Sequence, residues 1–92
     1  MTDLTKSKVY ASWMAIDIAK DFNAVIVETQ GGTIRQFKMA NSVSDHNRLI
    51  DFIKTLPQPC RIGFEATGND HRTLGYRLSA EGFDTCLISS VA

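Results

Sequence analysis

The sequence has few cysteines and no long apolar run, and each shortage excludes a class of protein. Cys60 and Cys86 are its two cysteines, and no cysteine or histidine lies at the spacing of a zinc site. We expect both to be reduced, buried thiols, and His46, which has no ligand partner, to lie at the surface. No stretch reaches the ~18 apolar residues of a membrane span, and the N-terminus lacks the apolar segment of a signal peptide. These absences predict a cytoplasmic protein.

Net charge is also missing. Ten basic and ten acidic residues give a formal charge of zero, whereas a freestanding DNA-binding domain is usually basic. Composition alone therefore does not predict a nucleic-acid partner. A chain of 92 residues suits one small domain. We expect a flexible tail over residues 1–11, followed by a single α/β domain over residues 12–92.

The apolar and turn patterns predict five strands and two helices in the order β-β-β-α-β-α-β. The run "SWMAIDI" at residues 12–18 is nearly all apolar, which is typical of a central strand buried on both faces. Trp13 is therefore a predicted core residue. Ser42 and Asp45 fit a capping box at the start of the first helix, and Gly82 fits the end of the second.

This order predicts a mixed sheet with strand order 3-2-1-4-5 and an antiparallel second strand, because right-handed crossovers place each later strand parallel to the first. Such a layout is ribonuclease-H-like. Asp17 and Glu65, near the ends of strands one and four, then share the edge where α/β proteins usually bind ligands. Two close carboxylates need a cation, and Mg²⁺ takes oxygen ligands. The pair is the candidate catalytic and metal site; an ion pair between Asp17 and Lys20 is the simpler alternative.

Two blocks around these acids resemble a known family. The segments "IDIAK", with Asp17, and "EATGNDHR", with Glu65, are similar at this separation to the N-terminal domain of the insertion-sequence one-ten transposases. These are also called DEDD transposases and are related to the Piv-type DNA invertases. The resemblance runs from Met14 to Ala92. It implies a RuvC-like catalytic domain in which four acids, Asp-Glu-Asp-Asp, bind Mg²⁺ for DNA strand cleavage and joining.

Asp17 matches the first of the four acids and Glu65 the second. The family's last two acids lie on a helix after the fifth strand, beyond Ala92, and a second domain with a serine implicated in strand exchange also lies beyond it. The resemblance therefore implies a catalytic domain truncated after strand five, inactive alone and with weak or absent Mg²⁺ binding. It implies DNA as the partner, in a prokaryotic cell, and in some members a structured guide RNA. The uncovered sheet predicts a homo-oligomer.

The segment after Glu65 carries candidate DNA contacts. Backbone N–H groups at a helix start suit a phosphate, and basic side chains suit the DNA backbone. An ordinary turn with solvated side chains is the alternative. The candidates are Thr67, Asn69, His71 and Arg72. Asp70 departs from the family, which often has tyrosine there, and we expect it to stabilise the helix start.

Two other functions stay open. Actin-like and sugar-kinase ATPases share this strand order and carry an acid in the first strand. Their phosphate-binding turn is rich in glycine, whereas Asp17 is followed by Ile-Ala-Lys, which disfavours ATP. A non-catalytic remnant that only folds or associates is the second alternative, and it is compatible with the family resemblance.

Overall fold

A computed structural model describes residues 9–66 and 72–88 of the chain. Most of the predicted tail lies outside them, as do Thr67, Asn69, Asp70 and His71. The elements follow the predicted order. They are β1 (Ser12–Ile18), β2 (Phe22–Thr29), β3 (Ile34–Ala40), α1 (Val43–Thr55), β4 (Cys60–Ala66), α2 (Arg72–Ala80) and β5 (Asp84–Leu87).

The strands form one sheet in the order β3-β2-β1-β4-β5. β2 is antiparallel to both β1 and β3, β4 is parallel to β1, and β5 is parallel to β4. This confirms the predicted ribonuclease-H-like α/β topology. β1 lies at the centre of the sheet, with β2 on one side and β4 on the other.

Only one face of the sheet is covered in the described part of the chain. Side chains along β1 alternate, so that Met14 and Ile16 are buried whereas Trp13 and Ala15 are exposed. Both helices pack on the buried face, where they contribute apolar side chains to one core: Leu49, Ile50, Ile53, Leu74 and Leu78. The exposed face, formed by residues such as Trp13, Ala15, Asp17 and Ile26, is called the open face below.

Two predictions about β1 are therefore wrong. It is central but buried on one face only, and Trp13 is 41% exposed rather than in the core. The reason lies in the crossovers. The connections from β3 to β4 and from β4 to β5 step across the sheet in the same direction. Since such crossovers are right-handed, α1 and α2 come to lie on the same face.

The predicted helix ends are largely confirmed. Ser42 is the N-cap of α1, and its Oγ accepts the Asp45 N–H at 3.2 Å. The Asp45 carboxylate accepts the Ala40 N–H at 2.7 Å instead of returning to the N-cap backbone, so the capping box is half formed and fastens β3 to α1. Gly82 has a φ of 85°, and the backbone hydrogen bonds around it form a Schellman motif that ends α2.

Candidate metal centre

The register of the parallel β1–β4 ladder aligns Asp17 directly with Glu65. Both side chains are exposed, and both belong to the open face because they alternate with the buried Ile16 and Phe64. Neighbouring strands lie about 4.8 Å apart, so the two carboxylates project side by side from the sheet. Their spatial relation follows from strand order and register together.

No salt bridge to this pair is formed within the described residues, although Lys38 of β3 lies two strands away in the same row of the sheet. Neither carboxylate takes part in a salt bridge or a side-chain hydrogen bond found there. Lys20 is exposed and forms no ion pair with Asp17 in that part of the chain, which leaves the simpler ion-pair interpretation without support. Two adjacent like charges repel each other, so a cation at this position would stabilise both.

A groove of about 510 Å³ runs along the open face beside the acids. Its floor is formed by small and apolar residues of the central strands, including Ala15, Ala24 and Ile26. Gly63 also lines it, and a Cβ added at Gly63 would come within 2.6 Å of Ile88 Cδ1, so a glycine allows Ile88 to pack against the sheet. Asp17 and Glu65 are the acids along this groove.

The chemistry of the pair fits part of a magnesium site. Carboxylates are the hard oxygen ligands that Mg²⁺ prefers, and this ion is often held by one or two carboxylates, with waters and substrate phosphates as further ligands. Within residues 9–66 and 72–88, no group of three or more His, Cys, Asp or Glu side chains could hold a metal. The pair alone could supply two oxygen ligands on one side, and a complete coordination shell would need water, phosphate or further acids.

Only one of the four predicted DNA contacts lies among the described residues. Thr67, Asn69 and His71 lie outside the described residues. Arg72 is the first residue of α2, which begins shortly after the strand that carries Glu65. All four stay predictions.

His46 contradicts the sequence-based expectation. It was expected at the surface but is only 4% exposed, on the face of α1 that packs against the sheet. Its Nε2 lies 3.1 Å from Asn41 Oδ1, whereas Nδ1 has no partner in the described part of the chain. The spacing with Leu49, Ile50 and Ile53 continues the apolar stripe of the helix by one turn, and this pattern was the available signal.

Burial makes the stability of the fold depend on the charge of His46. Desolvation, and then the positive charge of Arg77, lower the pKa of His46 below its ordinary 6.5, while Asp45 opposes them. The unfolded chain therefore binds the proton more readily, and stability falls as the pH drops below about 6.5. We expect His46→Gln to remove this part of the pH dependence in urea unfolding at about pH 7.5 and about pH 5. Identical pH dependence in the variant and the wild type would contradict this.

Comparison with known proteins gives a family match and a structural likeness. A transposase family model of the DEDD insertion-sequence one-ten type matches residues 14–92. Among solved structures, the Pelota protein of Thermoplasma acidophilum superimposes with a TM-score of 0.62 at 12% identity, over 99% of this chain and 30% of that one. The chain thus spans less than a third of Pelota, and this likeness shows the fold alone. No curated protein gives a significant match. None of the helices in the described ranges is long and apolar enough to cross a membrane.

Proposed function

This chain belongs to the DEDD transposases of the insertion-sequence one-ten type, and we propose that Asp17 and Glu65 are the first two of the four acids with which its catalytic domain binds Mg²⁺. The proposal is carried by the register of the β1–β4 ladder, which aligns the two carboxylates on the open face.

The function of this site is DNA strand cleavage and joining in transposition. Bound Mg²⁺ would polarise a phosphate and activate an attacking oxygen. The two carboxylates would hold the ion near the C-terminal ends of two parallel strands, where its positive charge would offset their mutual repulsion. Because both side chains are exposed, a DNA phosphate can approach from the solvent side. With two of the four acids, the isolated chain is expected to cleave no DNA.

DNA is the proposed partner, and the family adds a structured guide RNA in some members. Thr67, Asn69, His71 and Arg72 are the proposed DNA contacts, because their segment directly follows the strand with Glu65. The family match does not favour an ATPase lobe or a non-catalytic remnant. We also propose that the protein forms a homo-oligomer and that it acts in the cytoplasm of a prokaryotic cell.

A magnesium titration followed by NMR tests the proposed site. We expect the side-chain carboxylate signals of Asp17 and Glu65 to shift together, with a dissociation constant in the millimolar range or weaker, since two carboxylates form an incomplete cage. Asp17→Asn should abolish the shift at Glu65 because the shared ion is lost. Glu28, an exposed acid at the far end of the open face, provides the control, and Glu28→Gln should leave both shifts unchanged.

The opposite pattern would refute the proposal. If Mg²⁺ moved the signals of other acids while those of Asp17 and Glu65 stayed in place, the pair would not be a metal site. A Glu65 shift that persisted at the same concentration in Asp17→Asn would show that the two residues do not share an ion.

A further inference from the structure

A polar network fastens the turn between β1 and β2 to the residues before α1. The side-chain amide of Asn41 donates to the carbonyl oxygens of Ala19 at 2.6 Å and Lys20 at 3.2 Å. Its Oδ1 accepts a hydrogen bond from Asn23 Nδ2 at 2.9 Å and lies 3.1 Å from His46 Nε2. Asn41 thus uses both its donors and both acceptor positions.

The backbone of the same turn is held as well. The Asn41 N–H donates to the Asp21 carbonyl at 3.0 Å, and the Ala19 N–H donates to Asn23 Oδ1 at 3.2 Å. Asn23 is completely buried, so it cannot exchange these bonds for water without a cost. Each residue of the turn, Ala19 to Asp21, is therefore bound to one of two asparagines.

This network lies next to the proposed metal ligand. Asp17 is two residues before Ala19, near the last pair of the β1–β4 ladder, where a strand without further contacts frays. Placing Asp17 beside Glu65 brings two like charges together, and their repulsion favours separation of the strand ends. The ladders with β2 and β4 continue through Ile18, and the two hydrogen bonds from the Asn41 amide to the Ala19 and Lys20 carbonyls reinforce them just beyond the point where this repulsion acts.

We infer that Asn41 is a positioning residue, which holds the C-terminal end of β1 so that Asp17 stays aligned with Glu65. The inference rests on the proposed function, because the alignment of Asp17 with Glu65 matters only if the pair binds a metal. The effect of Asn41 on the end of β1 can still be tested in the metal-free protein. Asn41 binds the two residues that follow β1 rather than Asp17 itself, so we expect its replacement to weaken metal binding by about tenfold, the lower end of the range for groups that hydrogen-bond a metal ligand directly.

The first measurement is amide hydrogen exchange in the metal-free protein. Asn41→Ala should speed exchange at Asp17 and Ile18 but leave Met14, in the first half of β1, little changed. Ser12→Ala is the matched control, since Ser12 is a completely buried polar residue at the opposite end of the same strand, with its Oγ donating to the Pro57 carbonyl at 2.8 Å. It should lower the urea midpoint without speeding exchange at Asp17 and Ile18.

The second measurement is Mn²⁺ binding, because this ion takes the same oxygen ligands and broadens nearby NMR signals. Asn41→Ala should require about tenfold more Mn²⁺ to broaden the Asp17 and Glu65 amide signals, and Ser12→Ala should not. His46→Gln, which retains a donor toward Asn41, should bind more nearly like the wild type than His46→Leu does.

The outcomes distinguish failure of the positioning role from failure of the metal site. Unchanged exchange at Asp17 and Ile18 in Asn41→Ala would overturn the positioning role, whatever the metal does. Equal losses of Mn²⁺ affinity in Asn41→Ala and Ser12→Ala would overturn it too, because both would then report stability alone. Faster exchange in Asn41→Ala combined with no Mn²⁺ broadening in the wild type would uphold the positioning role and refute the metal site.

Discussion

Replacing Ile16 with alanine is expected to lower the free energy of unfolding by about 2–5 kcal/mol, whereas the same change at Ile26 should cost less than about 1 kcal/mol. The two isoleucines lie on neighbouring strands, but Ile16 is 1% exposed and Ile26 is 42% exposed. Removing Ile16 leaves a cavity beneath the helices, while Ile26 faces solvent. For a domain with a total stability of about 5–14 kcal/mol, the first loss is severe.

Urea unfolding followed by far-ultraviolet circular dichroism measures both effects. Ile26→Ala is the matched control, since it removes the same atoms from the other face of the sheet. The comparison should be made at low protein concentration, so that association does not bury Ile26. Equal losses for the two variants under these conditions would contradict a sheet that is covered on one face only.

The second large effect concerns association of the chain with itself. The open face carries several exposed apolar side chains, among them Trp13 and Ile26, with Ile88 beside them. Five strands about 4.8 Å apart and about seven residues long present roughly 500 Å² per copy. Two copies packed face to face would bury roughly 1,000 Å², which is near the lower limit for a specific interface. We therefore expect a weak dimer through this face.

Ile26→Asp should convert this dimer to a monomer. An aspartate near the middle of the contact would bury a charge on a face that already carries Asp17 and Glu65, and a loss of about 2 kcal/mol would weaken association by about 30-fold. Sedimentation velocity over a range of concentrations measures the change. Tyr76→Asp is the control, because Tyr76 is 72% exposed on α2, on the helical side of the sheet. A wild-type chain that stays monomeric at high concentration, or an equal effect of Tyr76→Asp, would refute the prediction.

Local patterns in the sequence were sufficient for most of the fold. Caps and breakers such as Ser42 and Gly82 mark helix ends through contacts within a few residues, and they lie where predicted. The strand order followed from element order and crossover handedness. Whether helices cover one face of the sheet or both was harder to predict, because the apolar run in β1 is compatible with burial on one face or on both. Trp13 was consequently assigned to the core.

His46 shows the same limit in a helix. A histidine is polar enough for the surface and apolar enough for a core. Its residue type favours the surface, whereas its position in the apolar stripe of α1 favours burial. Burial depends on what packs against that turn, here the turn between β1 and β2 through Asn41 and Asn23. Asn41 is only five residues from His46, but the β1–β2 turn that Asn41 binds is 22 residues from Asn41 at Ala19, and this packing could not be inferred from the sequence.

By itself, the sequence determined the order of the elements, the family, and the presence of two acids near the ends of two strands. Only the tertiary structure decided that Asp17 and Glu65 are aligned in register, form no salt bridge in the described part of the chain, and share the uncovered face. The physical reason is the distance along the chain between the residues that interact. Turns, caps and strand periodicity depend on neighbours along the chain, whereas register, burial and the separation of two charges depend on pairing between strands that are far apart in it.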